Sequence, residues 1–304
     1  MDLLIGHYTD TKAKTGCTVF IFPTGAAIGI DIRGSNTATL NTPAYDCKSV
    51  QDTINAVVLT GGSTYGLESA FGVMQWLEEH EIGHMTRAGR IIPSITGAVI
   101  YDLGEGRADT SPDKQAGYYA AHRAIKNNDQ QGQLGVGTGA VTGKWLLGSK
   151  RHGGFAMSSV RLPGNIEVRA YVVTNSVGDV IDSSIDLRVK QKAFHKLTNF
   201  PQYLSGTMDL DRLSDGKAMK NTTLAVIATN AQLTKHELSK VAELAHDGMA
   251  RAIYPVHTTM DGDVIFAVSV PPCEKLDLPH GSLVDFVGMA AADALSQAIM
   301  KSVS

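Results

Sequence analysis

The sequence predicts an α/β fold from three observations. Short apolar runs recur along the 304 residues, many ending at one of 31 glycines. Stretches of helical period alternate with those runs. The last eighty or so residues read strand, helix, strand, helix. With 43% hydrophobic and 19% charged residues, the chain can bury a large core, as one large α/β domain or two ordinary ones.

The elements follow in order. CTVFIF (17–22) and AAIGIDI (26–32) read as two strands around Pro23-Thr24-Gly25. AVVLTGG (56–62) is a buried strand running into a glycine turn. Leu67, Ala70, Met74 and Leu77 recur at helical spacing and predict a helix over 64–79. GAVIYDL (97–103) predicts a further strand. Ser111 as N-cap and Pro112 at the first helical position predict a helix to about residue 126. A polar loop (127–134) and a glycine-rich stretch, GVGTGAVTGK (135–144), come next. EVRAYVVTNSVGDV (167–180) is a strong strand ending in a turn, and 181–220 reads as an exposed linker. TTLAVIATN (222–230) is a buried strand. Thr234 and Glu237 form a capping box ahead of a helix whose inner face is Leu238, Val241, Ala242, Ala245 and Met249. DVIFAVSV (263–270) is a strand, and 284–302 is an alanine-rich helix.

A net charge of -3 points to no nucleic-acid or membrane-surface partner. Cys17, Cys47 and Cys273 show no spacing pattern, which argues against a disulfide framework or cysteine zinc site and for a reducing cytoplasm. No apolar run reaches about 18 residues and no leader is readable, so neither a membrane span nor a signal peptide is expected.

Three local motifs fall short. HEIGH (80–84) has the zincin spacing, but it sits where a helix is ending, Gly83 weakens helix there, and no third ligand stands out. It is read as structural, with no metal. GVGTGAVTGK lacks both the Walker and the dinucleotide glycine patterns and reads as a tight turn. GGSTYG (61–66) has Tyr65 where a nucleophile elbow needs glycine. Two readings of it stay open. The backbone amides of Gly61 and Gly62 sit at a helix N-terminus and bind a carbonyl or anion beside a Tyr65 wall, or the segment is a plain turn with Tyr65 in the core.

One constellation holds together. Asn221 and Thr222 lie where the polar linker meets a buried strand. Asp261 and Asp263 share a face just before the next strand, Asn175 stands at another strand end, and Lys144 closes a glycine turn. The set supplies a nucleophile, a proton carrier, carboxylates and an amide donor.

These residues resemble the L-aminopeptidase/D-esterase (DmpA-like) family, most closely its nylon-oligomer hydrolase branch. The resemblance rests on GHYTD (6–10), DIRG (31–34), VLTGGSTYGLESAFGVM (58–74), AVIYDLG (98–104), PDK (112–114), GVGTGAVTGK, NSVGD (175–179), NTTLAVIATNAQLT (221–234), HDGMARAIYPVHT (246–258) and MDGDVIFAV (260–268). It implies a four-layer αββα sandwich across 1–304, in a precursor that cuts itself once, into 1–221 and 222–304. It implies Thr222 as the nucleophile, Asn221 as the residue before the cut, and Asn175 as the oxyanion donor. Lys144, Asp261 and Asp263 match the supporting polar residues of the nylon-oligomer branch. It further implies a homotetramer without cofactor or metal. The substrates would be short peptides, amino-acid amides or ω-amino-acid oligomers, cleaved through an acyl-enzyme. The alternatives are an aminopeptidase of the same family and an acyltransferase similar to ornithine acetyltransferase.

Overall fold

The computed structural model describes residues 1–144, 150–181, 221–275 and 281–303; from residue 182 on, the expected linker lies outside the described residues. The main elements are β1 (Leu4–Asp10), β2 (Thr15–Ile32), β3 (Thr53–Thr60), α1 (Ser69–Glu79), β4 (Ile95–Val99), α2 (Lys114–His122), β5 (Phe155–Leu162), β6 (Ile166–Asn175), β7 (Thr222–Ala231), α3 (Lys235–Ala252), β8 (Val264–Glu274) and α4 (Ser282–Lys301). Hydrogen bonding runs β5-β6-β7-β8-β2-β3-β4, with β1 also on β2. The β7–β8 and β3–β4 pairs are parallel; the others named here are antiparallel.

One long strand, β2, replaces the two read from the sequence. From Thr15 to Ile21 it pairs with β1, and from Ala27 to Ile32 with β8. Its register with β3 shifts between Ile21 and Ala26. Pro23 has no N–H for the ladder and Gly25 takes φ 78°, so the strand bends there instead of turning back.

The bend lets a continuous ladder fold into two layers, and three separate cores show it. Val19, Ile21, Ala56 and Val58 pack on Val73 and Leu77 of α1 and Ala116 and Ala120 of α2. Phe20, Phe22, Val57 and Leu59, from the opposite face of the same strands, meet Tyr171, Leu224, Val226 and Phe266. Ala225, Ile227 and Ile265 turn the other way, onto Leu238, Val241 and Leu295 of α3 and α4. Successive side chains alternate across a strand, so β7 is apolar at consecutive positions because both of its faces are buried. The order is helices, sheet, sheet, helices: the four-layer αββα sandwich that the resemblance implies.

Several boundaries move. A 3-10 turn (Ser63–Glu68) precedes α1, and β4 stops at Val99, short of Tyr101 and Asp102. The N-cap of α2 is Asp113, whose side chain accepts from the Ala116 amide, and not Ser111; the helix ends at His122. The capping box of Thr234 and Glu237 forms as the pattern predicts. His80 ends α1 and stacks on Trp76 with 3.9 Å between ring centroids, while His84 lies in a separate two-residue strand. The two imidazoles of HEIGH therefore share no helix face. By length and composition α4 could cross a membrane, yet its Val287, Ala291 and Leu295 are buried in the core against α3 and the sheet.

Candidate active site

Strand ends converge on one place. β6 ends at Asn175, which stands opposite Thr222 at the start of β7. β8 runs parallel to β7, so the residues before each lie at the same end of the sheet. Asn221 bridges to Asp261 there. Asn175, Asn221, Thr222, Asp261 and Asp263 are all buried. Thr222, at 4% exposure, faces almost no bulk water.

The Asn221–Thr222 peptide is held by a specific set of contacts. Thr222 Oγ1 donates to the Asn221 carbonyl oxygen at 2.5 Å. The Gly262 amide donates to the same oxygen at 2.7 Å. The Asn221 amide donates to Met260 O at 3.1 Å. A Cβ at residue 262 would stand 2.8 Å from Thr222 Oγ1 and 2.5 Å from Asn36 O, so only glycine brings its amide this close. The carbonyl is thus polarised from two sides, with a hydroxyl against it.

Asn175 and Lys144 form a second group. The Asn175 side-chain oxygen accepts from Lys144 Nζ at 2.8 Å and from the Val141 amide at 3.0 Å. Its Nδ2 donates to Tyr101 O at 3.1 Å. Lys144 therefore touches Asn175, not Thr222 directly. Burial pulls the Lys144 ammonium down to about 8, partly offset by Glu105, Asp261 and Asp102.

The aspartates act through backbone. Asp263 Oδ1 accepts the Thr223 amide at 2.7 Å, one residue past Thr222. Asp261 accepts from Val177 N at 3.1 Å through Oδ1 and from Thr258 N and Oγ1 at 3.0 and 2.6 Å through Oδ2. It ties the turn after β6 to the loop before β8. Burial first, and then the Asp263 charge, raise the Asp261 carboxyl above its usual range.

The glycine turn is arranged differently from the sequence reading. The Gly61 amide donates to Gly16 O at 2.8 Å, Gly62 N to Asp102 Oδ1 at 2.7 Å, and Ser63 N to Ile100 O at 3.0 Å. The Gly61 and Gly62 amides are thus spent inside the protein and are not donors to a ligand. Tyr65 is 78% exposed, which settles against a core position; among the described residues it forms no hydrogen bond with the polar set above.

Sequence reasoning missed Gly262, Thr258, His257 and Asp102. Asp102 is the tie between the glycine turn and the site: its Oδ2 accepts from Thr15 Oγ1 at 2.8 Å, and its neighbour Tyr101 receives Asn175. Burial lifts its carboxyl to about 6, against its bonds to Gly62 and Thr15. A carboxyl raised on folding favours the folded state below its unfolded value and loses that contribution as pH rises through its folded value. In a Thr222→Ala background, Asp102→Asn should therefore gain stability relative to its parent between about pH 4 and 7. The gain should be on the order of 2–3 kcal/mol. Urea midpoints at the two pH values check this, and a gap that does not change with pH would contradict it.

Residues 2–304 match the family model for peptidase family S58. The chain belongs to that family. An uncharacterized aminopeptidase of Mycobacterium leprae is 34% identical over 98% of this chain and 87% of its own length. A 6-aminohexanoate-oligomer endohydrolase of Paenarthrobacter ureafaciens is 31% identical over 90% of this chain and 73% of its own. Among solved structures, the L-aminopeptidase D-Ala-esterase/amidase of Ochrobactrum anthropi, a variant of the Ntn hydrolase fold, superposes with a TM-score of 0.73. It is 17% identical, covering 99% of this chain and 84% of that one. This S58 member is therefore an amide hydrolase on the Ntn hydrolase fold.

Proposed function

We propose that this S58 hydrolase cuts itself between Asn221 and Thr222 and then uses Thr222 as an N-terminal nucleophile on short amides. The observation that carries the reading is the buried Thr222 hydroxyl lying on its own preceding carbonyl, with the Gly262 amide on the same oxygen. In self-cleavage, Oγ1 attacks the Asn221 carbonyl carbon. The C–N bond breaks, the Thr222 nitrogen takes the hydroxyl proton, and an ester to Oγ1 remains. Water hydrolyses the ester, leaving a carboxylate on Asn221 and a free amine and hydroxyl on Thr222. The Gly262 N–H is placed to stabilise the oxyanion of this step.

The new α-amine has a reference pKa of about 7.7–8.0 and serves as the base that a threonine hydroxyl lacks. A protonated Lys144, held near Thr222 through Asn175, lowers it further by like-charge repulsion. In turnover the amine takes the Oγ1 proton and Oγ1 attacks the substrate carbonyl. The leaving amine departs with that proton, and water resolves the acyl-enzyme. Asn175 supports the oxyanion of this second reaction, Asp263 holds the backbone one residue past the nucleophile, and Asp261 ties the turn after β6 to the loop before β8.

For the substrate we propose a short, unbranched amide: a small peptide, an amino-acid amide or an ω-amino-acid oligomer. The relatives named for aminopeptidase and for oligomer endohydrolase activity support this range. Exposed Tyr65 offers such a chain an aromatic wall. The reading extends to a homotetramer working in the cytoplasm. Exposed Phe286 and Met289, one turn apart on α4, support an assembly contact, which light scattering checks. The test of the activity is a panel of amino-acid p-nitroanilides, 6-aminohexanoate oligomers and amine acceptors offered to the processed protein. Amide cleavage without an acceptor is expected; acyl transfer with no hydrolysis would overturn the assignment.

A further inference from the structure

DIRG (31–34) and HDGMARAIYPVHT (246–258) both carry the family resemblance, yet of their side chains only Thr258 enters the site described above. The two stretches meet behind Asp263. His257 Nδ1 lies 2.7 Å from Asp263 Oδ2, and the His257 backbone amide donates to the same oxygen at 3.3 Å. His257 takes φ 55°, a left-handed backbone that brings ring and amide onto one carboxylate oxygen. The other oxygen holds the Thr223 amide. The Asp263 main-chain carbonyl is fixed as well, accepting from Arg33 and Gly34 amides at 3.1 and 3.2 Å.

Behind His257 stands a second imidazole. His246, 2% exposed, meets the His257 ring edge-on at 4.7 Å between centroids and 75° between planes. Its Nε2 faces Asp31, 3.3 Å from the carbonyl and 3.4 Å from Oδ2. Burial keeps it neutral, pushing its pKa down to about 3. Among the described residues, His257 Nε2 and His246 Nδ1 are buried with no hydrogen-bond partner. The contact to Asp263 puts a proton on His257 Nδ1, facing the carboxylate oxygen.

We propose that His257 is a positioning residue: its Nδ1–H locks the Asp263 carboxylate, which holds the Thr223 amide and thereby the Thr222 hydroxyl. His246 is the wall that keeps the ring in place. This rests on Thr222 being the nucleophile. Without the ring donor, Oδ2 keeps one long backbone bond in a dry site, and the carboxylate is free to rotate. Thr223 then loses its anchor, and a nucleophile misplaced by about 1 Å loses on the order of 10²-fold in rate.

The test compares His257→Asn, whose amide nitrogen replaces Nδ1, with His257→Gln, whose amide falls at the Nε2 position, and with His257→Leu. Self-cleavage is followed by mass spectrometry, and kcat and KM are measured per processed site. We expect Asn to keep kcat within about fivefold, and Gln and Leu to lose about 10²-fold in kcat with little change in KM and slower self-cleavage. Equal impairment of Asn and Gln, or full kcat in Leu, would overturn the proposal. If the Leu variant does not fold, the Asn–Gln comparison decides. Thr222→Ala runs alongside: if it still cuts itself, the nucleophile assignment fails first, whatever the His257 variants do.

Discussion

Replacing Thr222 by alanine is expected to leave one uncut chain of about 32 kDa and no amide turnover. Among the described residues the Thr222 hydroxyl lies on the Asn221 carbonyl and can become bonded to it; the Gly262 contact on the same oxygen is a backbone N–H that can stabilise charge but not attack. The loss should come with little change in stability. Thr222 Oγ1 gives its one recorded bond to the adjacent carbonyl, which keeps the Gly262 amide when the hydroxyl is gone. A folded, uncut, inactive chain is therefore the expected product. Turnover in this variant would end the nucleophile assignment, and turnover without cutting would separate the two reactions.

Asn175→Ala should have the next largest effect, and on two quantities. Asn175 is fully buried and makes side-chain bonds to Val141, Lys144 and Tyr101. Alanine leaves a buried amide, a carbonyl and an ammonium without this partner, each costing about 1–3 kcal/mol and more for the charge. Turnover should fall by about 10²–10³, the usual cost of removing one oxyanion donor. Self-cleavage should fall less, because the Asn221 carbonyl already has the Gly262 amide. The unequal loss is the diagnostic result. If both rates fall together by the same factor, Asn175 serves the fold and not the oxyanion of turnover.

The contrast between the two amide donors also shows what a sequence can reveal. β7 was readable because eight consecutive residues, Thr222 to Thr229, bury both faces of one strand, a pattern no loop produces. The helix after it was readable because Thr234 and Glu237 cap it through side chains. β2 was misread because Pro23-Thr24-Gly25 looks locally like a hairpin; what keeps it extended is pairing with strands more than 20 residues away on either side. The side chains proposed as catalytic were picked out through the resemblance to a known family, since threonine at a strand start is ordinary by itself. Gly262 was not visible in any role, because its contribution is a backbone N–H. Gly61 and Gly62 failed for the same reason in reverse: the sequence shows that their amides exist, not that Gly16 and Asp102 already occupy them. Asp102 acts on Thr15 and Gly62, far along the chain, and a lone aspartate after a strand carries no local mark; His257 acts on Asp263, six residues on, through a left-handed backbone that a histidine does not announce.

Intact-mass spectrometry of the purified wild-type protein, with N-terminal sequencing of the smaller chain, tests the central claim most directly. The account predicts chains of 221 and 83 residues, together the 304 of the precursor, with the smaller starting Thr-Thr-Leu. A single uncut mass after prolonged incubation, or a small chain that starts at Thr223, would contradict it.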